Sequence, residues 1–349
     1  MLELHEATGA FAALEDYLAS EGFWGRDGVV ADLYLGYALS AVLRRSAAPA
    51  PPEPCPLPVL ACRIRSVSRT DRMAIGGYEI GPWARTWDDE GYAVAVEGVR
   101  DAIARGDVYQ TNIVQHLAAP FAGDPRALGA ALAGLRPLVA HPFSGARWAI
   151  VSASPELFLA RRGRRLVTMP IKGTRPAGLP VEGAKDGAEH MMIVDLERND
   201  LARVCEPGSI RWPKLMAQRE LAGVRHLVST VEGRLRPGAG LAEILAATFP
   251  GGSVTGAPKI AAVDLIASLE PVGRGASMGA LGVLRPDGDF ELALTIRTLA
   301  VVDGRIHLWV GGGIVWDSDP EAEIEESWVK ARPILAAIGS RVPAEALRA

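Results

Sequence analysis

The stretch from Gly279 to Val315 constrains the chain most. Three segments, Gly279 to Leu284, Phe290 to Val302 and Arg305 to Val315, alternate apolar and polar residues with the period of two that a pleated strand imposes. Pro286-Asp287-Gly288 and Asp303-Gly304 separate them, and turns this tight join antiparallel neighbours. A helix is predicted directly afterwards, over Pro320 to Ile338. Further strands are predicted over Val59 to Ile64, Ala74 to Ile80, Val108 to Leu117, Trp148 to Ala153, Leu157 to Ala160 and Arg165 to Ile171. Helices are predicted over residues 1 to about 45, over Asp88 to Arg105, over Glu189 to Val204 with Met192, Leu196 and Leu201 inward, and over Ala242 to Phe249 and Pro258 to Leu269. Hairpin-joined strands mixed with long helices predict an α+β fold. Ala47 to Pro58, with five prolines within Ala48 to Pro56, suits neither a helix nor a central strand, so it reads as an extended surface connection.

The 349 residues are enough for two ordinary domains or one large mixed one. A net charge of -4 and the lack of any polybasic run argue against nucleic acid or an anionic membrane as partner. No apolar run reaches the ~18 residues of a membrane span, and the first residues, Met1-Leu2-Glu3-Leu4-His5-Glu6, do not read as a signal peptide. A cytoplasmic location is expected. Cys55, Cys62 and Cys205 have neither zinc-site spacing nor the density of a disulfide framework, and read as buried free thiols.

Three constellations can carry chemistry. Glu321, Glu323, Glu325 and Glu326 crowd the start of the last predicted helix. Acidic residues suit a helix N-terminus, and Asp319 or Ser318 can cap it. Equally, Glu323 and Glu326 share one face and can hold a hard cation. Asp186 and Glu189 repeat that spacing. The second constellation, Gly251 to Lys259, opens a helix and offers backbone N–H groups to an anion, or is simply a helix-start turn; Ala257 in the lysine position argues against a nucleotide P-loop. Gly311-Gly312-Gly313 permits close backbone approach or marks a bulge. The third is Lys172, which follows an apolar segment and precedes Gly173. Such a lysine either snorkels to water or is a buried amine, neutral enough to be nucleophilic.

Taken in order along the chain, these segments resemble the chorismate-utilising enzymes: anthranilate, aminodeoxychorismate, isochorismate and salicylate synthases. The resemblance runs from about Tyr92 to Ala337. It rests on Gly106-Asp107-Val108-Tyr109-Gln110, Ser154-Pro155-Glu156, Pro170-Ile171-Lys172-Gly173-Thr174-Arg175-Pro176, Glu189-His190 and Asp195-Leu196-Glu197-Arg198-Asn199-Asp200-Leu201. His226-Leu227-Val228-Ser229, Gly256-Ala257-Pro258-Lys259, Ile296-Arg297 and the Glu323/Glu326/Lys330 set complete the series.

The resemblance implies two antiparallel sheets packed face to face with helices outside. It implies a single domain over 1–349, with a shortened N-terminal part (about 1–85) and a catalytic core (about 86–340). It also implies Mg2+ on Glu189 and Glu326 with Glu323 nearby, and chorismate held by Arg297, Lys330, Ser253, Thr255, Gly256, Gly312, Gly313 and Thr174. Glu156 matches the family's general acid, and His226 a histidine near the ring carboxylate. Isochorismate and salicylate synthases are expected to need a lysine base where this chain has Gln110, and a neutral amide cannot deprotonate water. Anthranilate synthases usually carry alanine at the position of Lys172, whereas aminodeoxychorismate synthases carry lysine. The resemblance therefore points to amination of chorismate to 4-amino-4-deoxychorismate, through a covalent Lys172 adduct, on the way to p-aminobenzoate for folate or a secondary metabolite. Anthranilate formation, or a lapsed enzyme that serves as a scaffold for a glutaminase, are the alternatives. None of the cysteines sits in a Gly-x-Cys-x-Gly nucleophile turn, so ammonia is expected from a separate glutamine amidotransferase subunit. Two departures stand out: Ser277 replaces the family's usual tyrosine after Arg274-Gly275-Ala276, and Asp186 replaces a common glutamate. The Leu-Leu-Glu-Ser segment of tryptophan-regulated members is missing, so tryptophan inhibition is not expected.

Overall fold

A computed structural model describes residues 1–67, 76–176, 184–221 and 224–340, excluding the side chains of 174–176, 184–186, 221 and 224. Two antiparallel sheets dominate the described residues. The first runs Leu2–Leu4, Leu60–Ser66, Val29–Leu35, Ala280–Leu284, Phe290–Leu294, Leu157–Arg162, Arg165–Met169, Val224–Arg234, Ile171–Pro176, with Arg211–Leu221 also paired to Val224–Arg234. The second runs Gly256–Ala257, Gln110–Gly123, Arg305–Ile314, Thr298–Val302, Trp148–Ser152, Phe143–Ser144, with Tyr78–Ile80 and Ala84–Arg85 also paired to the long Gln110–Gly123 strand. The N-terminal strands are part of the first sheet, because Val29–Leu35 pairs along its whole length with Leu60–Ser66 and through Leu35↔Ala280 to Ala31↔Leu284 on its other side.

Alternation along the Arg305–Ile314 strand explains the layering. Trp309 enters the core shared with the first sheet, where Leu33, Leu60 and Leu292 lie with Val114, Ile150 and Ala300. Ile306, Leu308, Val310 and Ile314 point the other way, onto a second core with Tyr92, Val96 and Val99 of the Asp89–Ala104 helix and Trp328, Ala331 and Ile334 of the Pro320–Ala337 helix. Burying both faces in this way is what a sandwich with outer helices requires. Asp88 and Asp319 cap those two helices, accepting from Gly91 N and Ala322 N, and Pro320 occupies the first turn. Among the described residues no helix is long and apolar enough to cross a membrane.

Three expectations are corrected. Of residues 1 to 45, only Ala10–Ser20 is α-helical; Val29–Leu35 is a strand, buried along nearly its whole length, and Tyr37–Leu43 is 3-10. A short apolar run inside a sheet fits a helical period as readily as a strand. The expected strand Phe290 to Val302 is two, and the break at 295–297 carries the chain from one sheet to the other. In the Ala184–Ala202 helix the buried face is His190, Ile193, Val194, Glu197, Asp200 and Leu201, with Met192 and Leu196 only half-buried. The Arg211–Leu221 and Val224–Arg234 hairpin and the Pro125–Leu132 helix were not foreseen. Of the expected strand Ala74 to Ile80, residues 74 and 75 lie outside the described residues and Tyr78–Ile80 is extended.

Candidate active site

Two neighbouring strands change sheets at the same place. The chain leaves the second sheet after Trp148–Ser152, passes Ser154-Pro155-Glu156, and enters the first at Leu157. Beside it, Phe290–Leu294 leaves the first sheet, passes Thr295-Ile296-Arg297, and enters the second at Thr298. The crossings are laced together: Ala153 N donates to Arg297 O at 3.0 Å, Leu294 N to Glu156 O at 3.0 Å, and the Ser152 and Thr298 hydroxyls meet at 2.8 Å. Each crossing releases one charged residue from the ladder into a cavity of about 270 Å³ between the sheets. Arg297 does so with φ 51, and Met278, also lining the cavity, with φ 61. Left-handed backbone is uncommon outside glycine and gathers at functional sites.

Glu156 is buried. Its Oε1 accepts from Ser253 Oγ at 2.8 Å and from Ile171 N at 3.3 Å. Burial raises its pKa, against the lowering effect of those two bonds. Lys172 lines the same cavity from the Ile171–Pro176 strand; burial lowers its pKa, while Glu189, Glu156 and Glu326 pull it back up. A carboxyl biased toward its acid form and an amine biased toward its free base therefore share one chamber. Arg297 is half-buried, and among the described residues its guanidinium finds no hydrogen-bond partner. His226 is buried, with Nδ1 2.7 Å from Gly173 O. A carbonyl can only accept, so Nδ1 carries the proton and, in the neutral ring, Nε2 is a buried acceptor without a partner among the described residues. Burial lowers this ring's pKa, favouring that neutral form.

The third wall comes from the last helix. Glu323, Glu326 and Lys330 lie against the Gly311-Gly312-Gly313 end of the Arg305–Ile314 strand. A β-carbon on Gly312 would stand 3.2 Å from Glu323 Oε2, 3.3 Å from Lys330 Nζ and 3.4 Å from Glu326 Oε1. The bare strand end thus brings the helix's charged groups to the cavity. Lys330 Nζ donates to Gly311 O at 2.8 Å and pairs with Glu326 Oε1 at 2.7 Å. Ser318 is not the helix cap but donates to Glu323 Oε1 at 2.6 Å.

Of the residues singled out from sequence, Glu156, Lys172, Glu189, His226, Ser253, Arg297, Gly312, Gly313, Glu323, Glu326 and Lys330 line this one cavity. Gln110, Thr255 and Gly256 do not. Gln110 is buried behind Gly313, its amide without partners among the described residues. The Thr255 hydroxyl donates to Gly251 O at 2.9 Å, and Gly256 pairs with Thr111, where a β-carbon would meet Gln110 O at 2.2 Å. The Thr255-Gly256 peptide is thus committed to the sheet. The side chains of Thr174 and Asp186 lie outside the described set. Asn112, Met278 and Trp309 also line the cavity and were not foreseen. Asn112 sits two residues from Gln110, hence on the same strand face, a spacing that could have found it.

The acidic groups offer only carboxylate oxygen, the donor a hard divalent cation takes. Among the described residues no group of three or more His, Cys, Asp or Glu side chains is placed to hold a metal ion by itself. Magnesium is commonly held by one or two carboxylates, with water and substrate oxygens completing its shell. The Glu323–Glu326 pair, with Glu189 lining the same cavity, fits that pattern.

The inter-sheet cavity thus gathers an amine, an acid, a guanidinium with no hydrogen-bond partner among the described residues, and a carboxylate cluster, the mix of groups expected of a candidate active site. The chain belongs to the chorismate binding enzyme family, which it matches over residues 69–336. It is 39% identical over 269 residues to anthranilate synthase component 1 of Streptomyces coelicolor, covering 73% of this chain and 53% of that protein. It is also 39% identical over 269 residues to aminodeoxychorismate synthase component 1 of Escherichia coli K12, covering 72% of this chain and 58% of that one. The chain thus matches little more than half the length of such relatives. The crystal structure of anthranilate synthase component I from Streptococcus pneumoniae superposes with a TM-score of 0.80 at 26% identity, covering 91% of this chain and 84% of that one.

Proposed function

We propose that this protein aminates chorismate with ammonia to 4-amino-4-deoxychorismate, a precursor of p-aminobenzoate, using Lys172 as a transient covalent nucleophile. The observation that carries the reading is the placement of the Lys172 amine and the Glu156 carboxyl in one cavity, each held toward its reactive protonation state by burial. In this reading Arg297 and Lys330 pair with the substrate's carboxylates, the former as a planar fork. The Lys172 nitrogen bonds to ring C2 as its lone pair displaces electrons through the diene. The C4–O bond breaks, and the Glu156 proton leaves with the hydroxyl as water. Ammonia then bonds to C4, the electrons return, and the C2–N bond to Lys172 breaks, restoring the amine. Glu326 and Glu189, with Glu323, would hold Mg2+, which supplies charge neutralisation and orientation of the ring carboxylate. The names of the relatives, each a component 1, support a separate amidotransferase as the ammonia source.

The two amination products are distinguishable. Purified protein with chorismate, ammonium and Mg2+ is expected to yield a product that a downstream lyase converts to p-aminobenzoate. Fluorescent anthranilate released without a lyase would instead assign the alternative reaction, and no consumption of chorismate would overturn both.

A further inference from the structure

The buried polar face of the Ala184–Ala202 helix has no part in the chemistry above, yet it reaches the acid through one turn. Glu197 is buried, and its Oε1 accepts the backbone N–H of Gly252 at 3.0 Å. Gly252 opens the Gly252–Val254 turn, whose next residue, Ser253, donates its hydroxyl to Glu156 at 2.8 Å. From the opposite side Asn112 Nδ2 donates to Ser253 O at 3.1 Å. The helix packs on the turn closely enough that a β-carbon on Gly252 would stand 2.6 Å from Leu196 Cδ2 and 3.2 Å from Glu197 Oε1. One helical turn further on, Asp200 takes Lys259 Nζ at 2.5 Å, and that amine also donates to Thr248 O at 3.0 Å. This ties the helix to the segments on either side of the turn.

We propose that Glu197 is a positioning residue for the acid: its carboxyl oxygen fixes the Gly252-Ser253 turn, and the turn's hydroxyl orients Glu156. The proposal rests on Glu156 being the acid of the reaction above. Burial and the neighbouring Asp200 raise the Glu197 pKa, against the lowering effects of Lys259 and the Gly252 N–H bond. The part that matters is the acceptor oxygen, which an amide supplies as well as a carboxylate does. Among the described residues, Lys172, Arg297 and Glu197 itself act on Glu156 through their charge, and Glu189, Glu323, Glu326 and Lys330 line the same cavity. Comparing two neutral replacements of Glu197 therefore separates its hydrogen bond from its charge.

The test compares Glu197→Gln with Glu197→Leu, or with Glu197→Met if the leucine variant does not fold. Glu197→Gln is expected to keep kcat within about threefold of the wild type, and the apolar variant to lose about tenfold to a hundredfold in kcat with KM for chorismate little changed, as a misplaced group costs. Combining the apolar change with Ser253→Ala is expected to be no worse than Ser253→Ala alone, because both act through one hydroxyl. Loss of that hydroxyl's bond removes support for the Glu156 carboxylate, so the alkaline limb of kcat/KM moves to higher pH in the apolar variant relative to Glu197→Gln. The same shift is read without turnover from the infrared carboxyl band that Glu156→Gln abolishes, so failure of the chorismate reading leaves this test standing. Equal behaviour of the amide and apolar variants, additive losses with Ser253→Ala, or an unmoved Glu156 band would each overturn the proposal.

Discussion

Two arginine–glutamate arrangements lie close together in this fold and are used in opposite ways. Arg274 and Glu270 are 1% and 2% exposed and joined by two bonds, at 2.9 and 2.6 Å. The guanidinium also donates to Val254 O and Asn112 O, lies over the Tyr37 ring at 4.6 Å, and Glu270 takes Val114 N. Arg297 and Glu156 face the same cavity and feel each other's charge without such a bond. A saturated pair braces the wall behind Asn112 and Val254. An unsaturated pair keeps its capacity for a ligand, at the cost in stability that buried, incompletely satisfied groups bring.

The comparison breaks most sharply at the amine beside the unsaturated pair. Lys172→Ala is expected to lower chorismate turnover by roughly 10⁴-fold or more, the scale lost when an enzyme nucleophile is removed, while the fold persists by circular dichroism. Intact-protein mass spectrometry of quenched wild type should show a chorismate-derived adduct that the variant lacks. Full activity in Lys172→Ala would remove the covalent role.

Next comes the scaffold pair. Arg274→Met strands a buried Glu270 and is expected to cost about 3–5 kcal/mol in denaturant unfolding. Arg297→Met should leave stability unchanged or raise it, since no hydrogen bond among the described residues is lost. Its effect belongs in binding: KM for chorismate should rise about tenfold to a hundredfold, the worth of a hydrogen bond to a charged group. Equal destabilisation by the two changes would show that the distinction between them is not physical.

Much of this was legible in the sequence, for identifiable reasons. The hairpin at Asp303-Gly304 and the cap at Asp319 are local signals, and local signals survive folding. So did the cavity set, because Glu156, Lys172, Arg297 and the last helix lie in short distinctive segments. What was hidden depended on tertiary context. The break at 295–297 follows from the sheets' separation, since the apolar alternation runs on through it. Arg274 carries the same side chain as Arg297, and only the neighbours at Glu270, Val254 and Asn112 reveal that it is braced. Nothing local sets Glu197 apart from the other charges of Asp195-Leu196-Glu197-Arg198, and only the folded helix shows that it is turned inward.

The smallest effect tests the cost of leaving Glu156 unsaturated. Its pKa in the folded chain is raised by burial, so the folded state holds that proton more tightly than the unfolded one. The group's stabilising contribution is therefore complete below the ordinary carboxylate pKa of about 4.3, and it is lost as pH rises through the raised folded value. Glu156→Gln removes the titration while keeping an oxygen to accept from Ser253 and Ile171. It should gain on the wild type as pH rises, by roughly 0.5–2 kcal/mol at most, the range of other single stabilising changes, while losing roughly 10²–10⁴-fold in turnover. Urea unfolding of both proteins from pH 5 to pH 9 measures the difference. A gap that is flat with pH, or that widens toward acid, would mean that burial of the Glu156 carboxylate is fully compensated in the fold and that leaving it without an arginine partner carries no cost.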